Sequence, residues 1–187
     1  MRHTRRFSAS LGIALVVLAT VGCSAPEPTP KPESLTVSRA GAVYLDAVCP
    51  VNDAWDTADV ELDQLRLAVS RDLSPSTKKF SAAMTDVAEQ SAIAKKKLTS
   101  PKRTWPAVAD APVAEVADTL ETDRVQAQRV AKLTAAKAIA YDWAGAEEIG
   151  TAAAAARAAL QLPADADSAC AQWENTLDNK RTTDADE

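Results

Sequence analysis

The chain has 187 residues, 21 Lys and Arg against 26 Asp and Glu, and a net charge of -5, a length that suits one domain and a charge too acidic to neutralise nucleic-acid phosphates. Only 5 glycines are present and alanine is abundant, which favours helix and leaves no glycine-rich phosphate loop or dinucleotide fingerprint. The lone histidine is His3, so removal of the N-terminus would exclude a Ser-His-Asp triad, His-ligated zinc and a Glu-x-x-His di-iron site.

The chain opens on the positive run Met1-Arg2-His3-Thr4-Arg5-Arg6. No charge follows from Phe7 to Gly22, and Leu11 to Val21 is mostly apolar before Thr20-Val21-Gly22-Cys23. This is the pattern of a secretory signal peptide over residues 1–22. The apolar run is shorter than the roughly 20 residues that a membrane-spanning helix needs. Its ending resembles the lipobox of bacterial lipoproteins, whose usual form is Leu-(Ala/Ser/Thr)-(Gly/Ala)-Cys. Gly22 fills the small position and Cys23 the acceptor position, while Thr20 departs from the usual Leu. The resemblance covers only the first two dozen residues.

That resemblance implies cleavage before Cys23 and a diacylglyceryl group, with palmitate-type chains, on its thiol. It places the protein on the extracytoplasmic face of the cell membrane. Arg5-Arg6 is similar to a twin-arginine signal, but Phe7-Ser8-Ala9 departs from that pattern, which implies the general export route. The alanine-rich composition resembles that of GC-rich actinobacterial proteins. Each buried methylene contributes about 0.8 kcal/mol, so two or three acyl chains hold a small domain firmly. Losing residues 1–22 with their three arginines leaves 165 residues and a net charge of -8. The lipid on Cys23, rather than a basic surface, then makes the membrane contact.

Residues 23–36 carry proline at every second position from Pro26 to Pro32, which favours an extended, semi-rigid spacer. They are expected to be a disordered tether behind the anchor. A helical bundle domain is expected over 37–178, with a disordered tail at 179–187. Its first stripe is Val37, Gly41, Tyr44, Val48, Val51, Trp55, Ala58, Leu62, Leu65, Val69 and Leu73, in steps of three and four. Pro50 predicts a kink or two helices sharing one direction. Ser74-Pro75-Ser76 should end this element, and Phe80, Met84, Val87, Ser91, Ala94 and Leu98 form the next stripe. Pro101, Pro106 and Pro112 mark a connector.

A third helix is predicted from about Val113 to Tyr141, through Val116, Leu120, Ala127, Val130, Leu133 and Ala138. Gly145 lies near the turn. A fourth helix should cover about Ala146 to Leu162, with Ile149, Ala153, Ala156 and Leu160 inward and Pro163 stopping it. A short last helix carries Cys170, Trp173 and Leu177 on one face. The fold class is therefore all-α, a bundle of about four main helices plus a short C-terminal one.

With Cys23 assigned to lipid, Cys49 and Cys170 remain as an even pair in an exported chain, which predicts a disulfide pinning the C-terminal segment beside Pro50. Asp53, Asp56, Asp59 and Asp63, with Glu61 nearby, have the spacing of an acid–base or cation site, but they read better as a solvated helix face. Glu147-Glu148 reads the same way. Lys95, Lys96, Lys97, Lys102 and Arg103, beside Trp105, form the one basic patch. It either meets anionic headgroups and wall polymers or complements a helix terminus, and the second fits better.

Trp55 and Trp173 belong to apolar stripes. Trp105 and Trp143 either cap the bundle or line a binding surface. No catalytic residue, metal or cofactor is assigned. Three functions remain in order of preference: a non-catalytic module binding an envelope protein or component, a carrier of an apolar small molecule or lipid, and a carboxylate-based enzyme.

Overall fold

The computed structural model describes residues 31–185, with side chains described to Asp178; the signal segment, Cys23 and linker residues 23–30 lie outside the described part. Six helices follow in order: α1 (Val37–Ser70), α2 (Lys78–Leu98), α3 (Ala107–Val130), α4 (Ala135–Ile139), α5 (Ala146–Ala159) and α6 (Ala166–Ala185). The fold is an all-α bundle. α1 packs on α2, α2 on α3, and α3 on α5, while α4 and α6 lie against α1.

α1 is a single 34-residue helix, about 51 Å long at 1.5 Å per residue. The Thr36 side chain accepts from the Arg39 amide and caps its start. Pro50 sits inside α1 without ending it. Proline lacks the N–H that would reach the carbonyl of Asp46, four residues back. Lys97 of α2 supplies the missing donor: its Nζ lies 2.9 Å from the Asp46 carbonyl oxygen and 2.9 Å from Asp46 Oδ2. The helix thus runs through its proline because a neighbouring helix satisfies the freed group.

The end of α1 departs from the predicted stripe. Asp72 takes a left-handed φ of 57°, Asp72 N donates to Val69 O and Leu73 N donates to Ala68 O. This is the Schellman arrangement, which satisfies carbonyls at a helix end. It leaves Val69 and Leu73 outside the core, and Leu73 is 60% exposed. All six members of the α2 stripe, from Phe80 to Leu98, are buried.

The connector before α3 ends at Pro106, whose carbonyl accepts from Ala109 and Asp110. Pro112 therefore lies within α3 rather than before it. There it removes a single N–H, opposite the carbonyl of the exposed Val108. The expected helix to Tyr141 also breaks. Lys132 N and Leu133 N bond three residues back, and Thr134, in extended backbone, precedes the five-residue α4. α5 stops at Ala159, before Pro163, through a second Schellman closure with Gln161 at φ 57°. α6 is 20 residues long rather than short, and its backbone remains helical to Ala185.

Part of the expected tether is docked. Glu33–Ser34 (β1) pairs in parallel with Arg103–Thr104 (β2). Glu33 N donates to Lys102 O at 2.8 Å and Leu35 N to Thr104 O at 3.0 Å. Leu35 is buried in the core, so apolar contact and two backbone hydrogen bonds hold a stretch whose prolines suggested only a spacer. No helix among the described residues is long and apolar enough to cross a membrane.

Two cores fill the bundle. The near core surrounds Tyr44, Leu45, Val51, Val113, Val116 and Leu120. The far core surrounds Leu62, Leu65, Phe80, Met84, Val87 and Val130. Trp55 packs against both.

Candidate functional site

Cys49 and Cys170, 121 residues apart, form a disulfide with an S–S distance of 2.10 Å and α-carbons 5.5 Å apart. It joins α6 to α1 one residue before Pro50. Asn52 Nδ2 points at Cys170 Sγ from 3.6 Å, and Trp173 packs against the same core. Closing a loop of this length removes denatured-state entropy worth on the order of 4–5 kcal/mol in the chain-entropy account.

The residues singled out by charge separate into ordinary roles. Asp53, Asp56, Asp59 and Asp63 are all exposed, and Asp63 pairs with Arg66 one turn on. The basic patch is divided between partners: Lys95 meets Glu121 of α3, Lys97 meets Asp46 of α1, and Lys96 and Lys102 face solvent. Glu121 is also gripped by Arg124, whose hydrogen bonds hold its carboxyl down at about 2. Among the described residues, no three His, Cys, Asp or Glu side chains are grouped to hold a metal ion.

Both open tryptophans close the bundle. Trp105 is half-buried, and its indole N–H donates to Leu98 O at 3.0 Å, occupying a carbonyl at the end of α2. Trp143 meets Trp55 edge to face with ring centres 4.9 Å apart, and Tyr141 meets Trp143 in the same way. Buried Gln126 holds this segment in place. Its Nε2 donates to Ala144 O and its Oε1 accepts from Ala144 N, both at 2.9 Å.

The most unusual chemistry lies at a cleft between α1, α3 and α5, with a volume of about 280 Å³. α1 contributes Tyr44, Asn52 and Trp55, α3 contributes Thr119 and Asp123, and α5 contributes Arg157. Asp123 is only 4% exposed. Burial pushes its carboxyl up to about 6, while a hydrogen bond from the Trp55 indole pulls in the opposite direction. Tyr44 is also buried, and its hydroxyl is pushed up to about 12 despite the adjacent Arg157 guanidinium. Arg157 Nε donates to Ala164 O at 3.0 Å, which ties the end of α5 to the loop before α6.

Neither Asp123 nor Arg157 stood out in the sequence. The usable signal was a gap. The apolar stripe of α3 steps from Leu120 to Ala127, and Asp123 occupies the position between them that should also face inward. An acid in an apolar register is either paired or costly when buried.

No protein family, curated protein or solved structure matches the chain.

Proposed function

We propose that the chain is an exported lipoprotein, anchored by acyl chains on Cys23 at the extracytoplasmic face of the cell membrane, whose bundle is a non-catalytic binding module for another envelope component. The observation that carries this reading is the Cys49–Cys170 disulfide. Such bonds persist in oxidising compartments and are rare where cytosolic thiol systems operate, in agreement with the signal-like segment at 1–22. The binding role draws on the outer face of α1. Val60 and Leu67, seven residues apart and so on one face, are 57% and 51% exposed. A single buried acid, rather than a buried pair, gives carboxylate catalysis little support.

Mass spectrometry of the protein from a bacterial host tests the anchor. The expected N-terminus is an acylated Cys23, and Cys23→Ala should leave the membrane fraction or remain unprocessed. An unmodified Cys23 contradicts the anchor. Photocrosslinkers placed at Val60 and Leu67 in cells test the module. One common envelope adduct from both sites, absent from a crosslinker at Glu89 on α2, is expected; no adduct from either site contradicts it.

A further inference from the structure

The cleft between α1, α3 and α5 holds a carboxyl without a counter-charge. Among the described residues no ion pair reaches Asp123, and the polar side chain acting on it is the Trp55 indole. The charged or titratable groups lining the cleft are Asp123, Tyr44 and Arg157. Arg157 is committed elsewhere, to Ala164 O and to the Tyr44 hydroxyl, and it also faces Asp165. Ionising a carboxyl at this depth without an opposite charge is costly, and a cation beside it would offset that cost.

Two further acceptors line the same cleft. Thr119 stands one turn before Asp123 on α3, and its hydroxyl donates to Val116 O at 2.8 Å, which leaves its oxygen lone pairs open. Asn52 stands one turn before Trp55 on α1; one N–H of its amide is directed at Cys170 Sγ, and its carbonyl oxygen is an acceptor. A carboxylate, a hydroxyl and an amide carbonyl give the cleft three acceptors, while its strongest donor, Arg157, is turned to Ala164 O and Tyr44. A primary ammonium has three N–H donors and no acceptor. The remaining wall is apolar, with Val51, Val116, Leu120 and Ile149. At Gly150 a β-carbon would meet nothing within 4 Å, so this side of the cleft is open.

We propose that this cleft is a binding site for a small primary amine with an apolar body, its ammonium seated on Asp123 and its body against Val51, Val116, Leu120 and Ile149. The volume of about 280 Å³ lies at the small end of ligand pockets, which excludes a diacyl lipid. The site goes beyond the anchored-module reading and does not depend on lipid at Cys23.

Calorimetric titration of the full chain in detergent with 2-phenylethylamine at pH 7.5 tests the site. 2-Phenylethanol serves as the uncharged counterpart and n-butylamine as a second amine. The expected result is saturable amine binding, at least tenfold tighter than that of the alcohol. Asp123→Asn should remove that preference while leaving the weak alcohol binding unchanged. Lowering the pH to 5 should weaken amine binding roughly tenfold, because a carboxyl titrating near 6 is then about nine-tenths protonated. Gly150→Leu, which fills the open side without touching the charge, should weaken amine and alcohol together. Failure of both amines to bind overturns the proposal. So does equal affinity for amine and alcohol, or amine binding that survives Asp123→Asn.

Discussion

The far half of the bundle, around Phe80 and Met84, is packed by apolar side chains drawn from α1, α2 and α3, with Gln126 as a polar clamp at its rim. The near half, around the Cys49–Cys170 disulfide, buries the Asp123 carboxyl and the Tyr44 hydroxyl and opens a cleft beside them. The two halves share α1, with Trp55 at the join. The far half is stabilised by area removed from water. The near half carries a burial that opposes folding, offset by a covalent link.

Phe80→Ala should have the largest effect, a loss of about 3–5 kcal/mol, because a large buried ring leaves a cavity that helices close poorly. Thermal unfolding followed by circular dichroism measures it; a loss under about 1 kcal/mol would show the far core to be loosely packed. Reduction of the disulfide, or Cys170→Ser, should follow, at about 2–5 kcal/mol. The loss should centre on α6 and the near half. Hydrogen exchange should show faster exchange after Ala166 with α2 still protected; uniform loss across both halves would erase the distinction.

Asp123→Asn should act in the opposite direction. The folded carboxyl titrates near 6 against an ordinary 3.8, so the folded state keeps a proton that the unfolded chain releases between those values. Stability therefore falls as pH rises through about 4 to 6 and levels off above. The amide removes that slope and should raise stability above pH 6 by on the order of 1–3 kcal/mol. Equal denaturant midpoints for both proteins at pH 5 and pH 8 would contradict it.

The smallest effect belongs to the proline bridge between α1 and α2. Lys97→Ala should cost about 0.5–1.5 kcal/mol, and less in a Pro50→Ala background, where Asp46 O regains a backbone donor. A double-mutant cycle with no coupling would separate Lys97 from the proline.

The contrast also explains what was readable in the sequence. Phe80, Met84, Val87, Ser91, Ala94 and Leu98 were found by spacing alone and are all buried, because helical register puts them on one face of α2, with Phe80, Met84 and Val87 against the far core and Ala94 and Leu98 against the near one. The Cys49–Cys170 link followed from the two cysteines that remain once Cys23 is read as the lipid acceptor. The polar inward positions of α3 were not found by the same rule: Asp123 and Gln126 lie on its buried face, yet neither is apolar. Helix ends at Asp72 and Gln161 lacked the glycine that usually marks a left-handed closure, so α1 and α5 end earlier than their stripes. The docking of Glu33–Leu35 depends on backbone groups at Lys102 and Thr104, which side-chain patterning does not encode. Of the candidate site, Trp55 and Tyr44 were placed inward by register, while their partners Asp123 and Arg157 became visible only once the helices were assembled.

The Asp123 carboxyl is buried at the cleft with no ion-pair partner among the described residues. Titration of the Asp123 carboxyl carbon, followed by NMR in the ligand-free protein, tests this most directly. A midpoint near 6 is expected in the folded chain; a midpoint in the ordinary range near 4 would show a hydrated or paired carboxylate and contradict the burial.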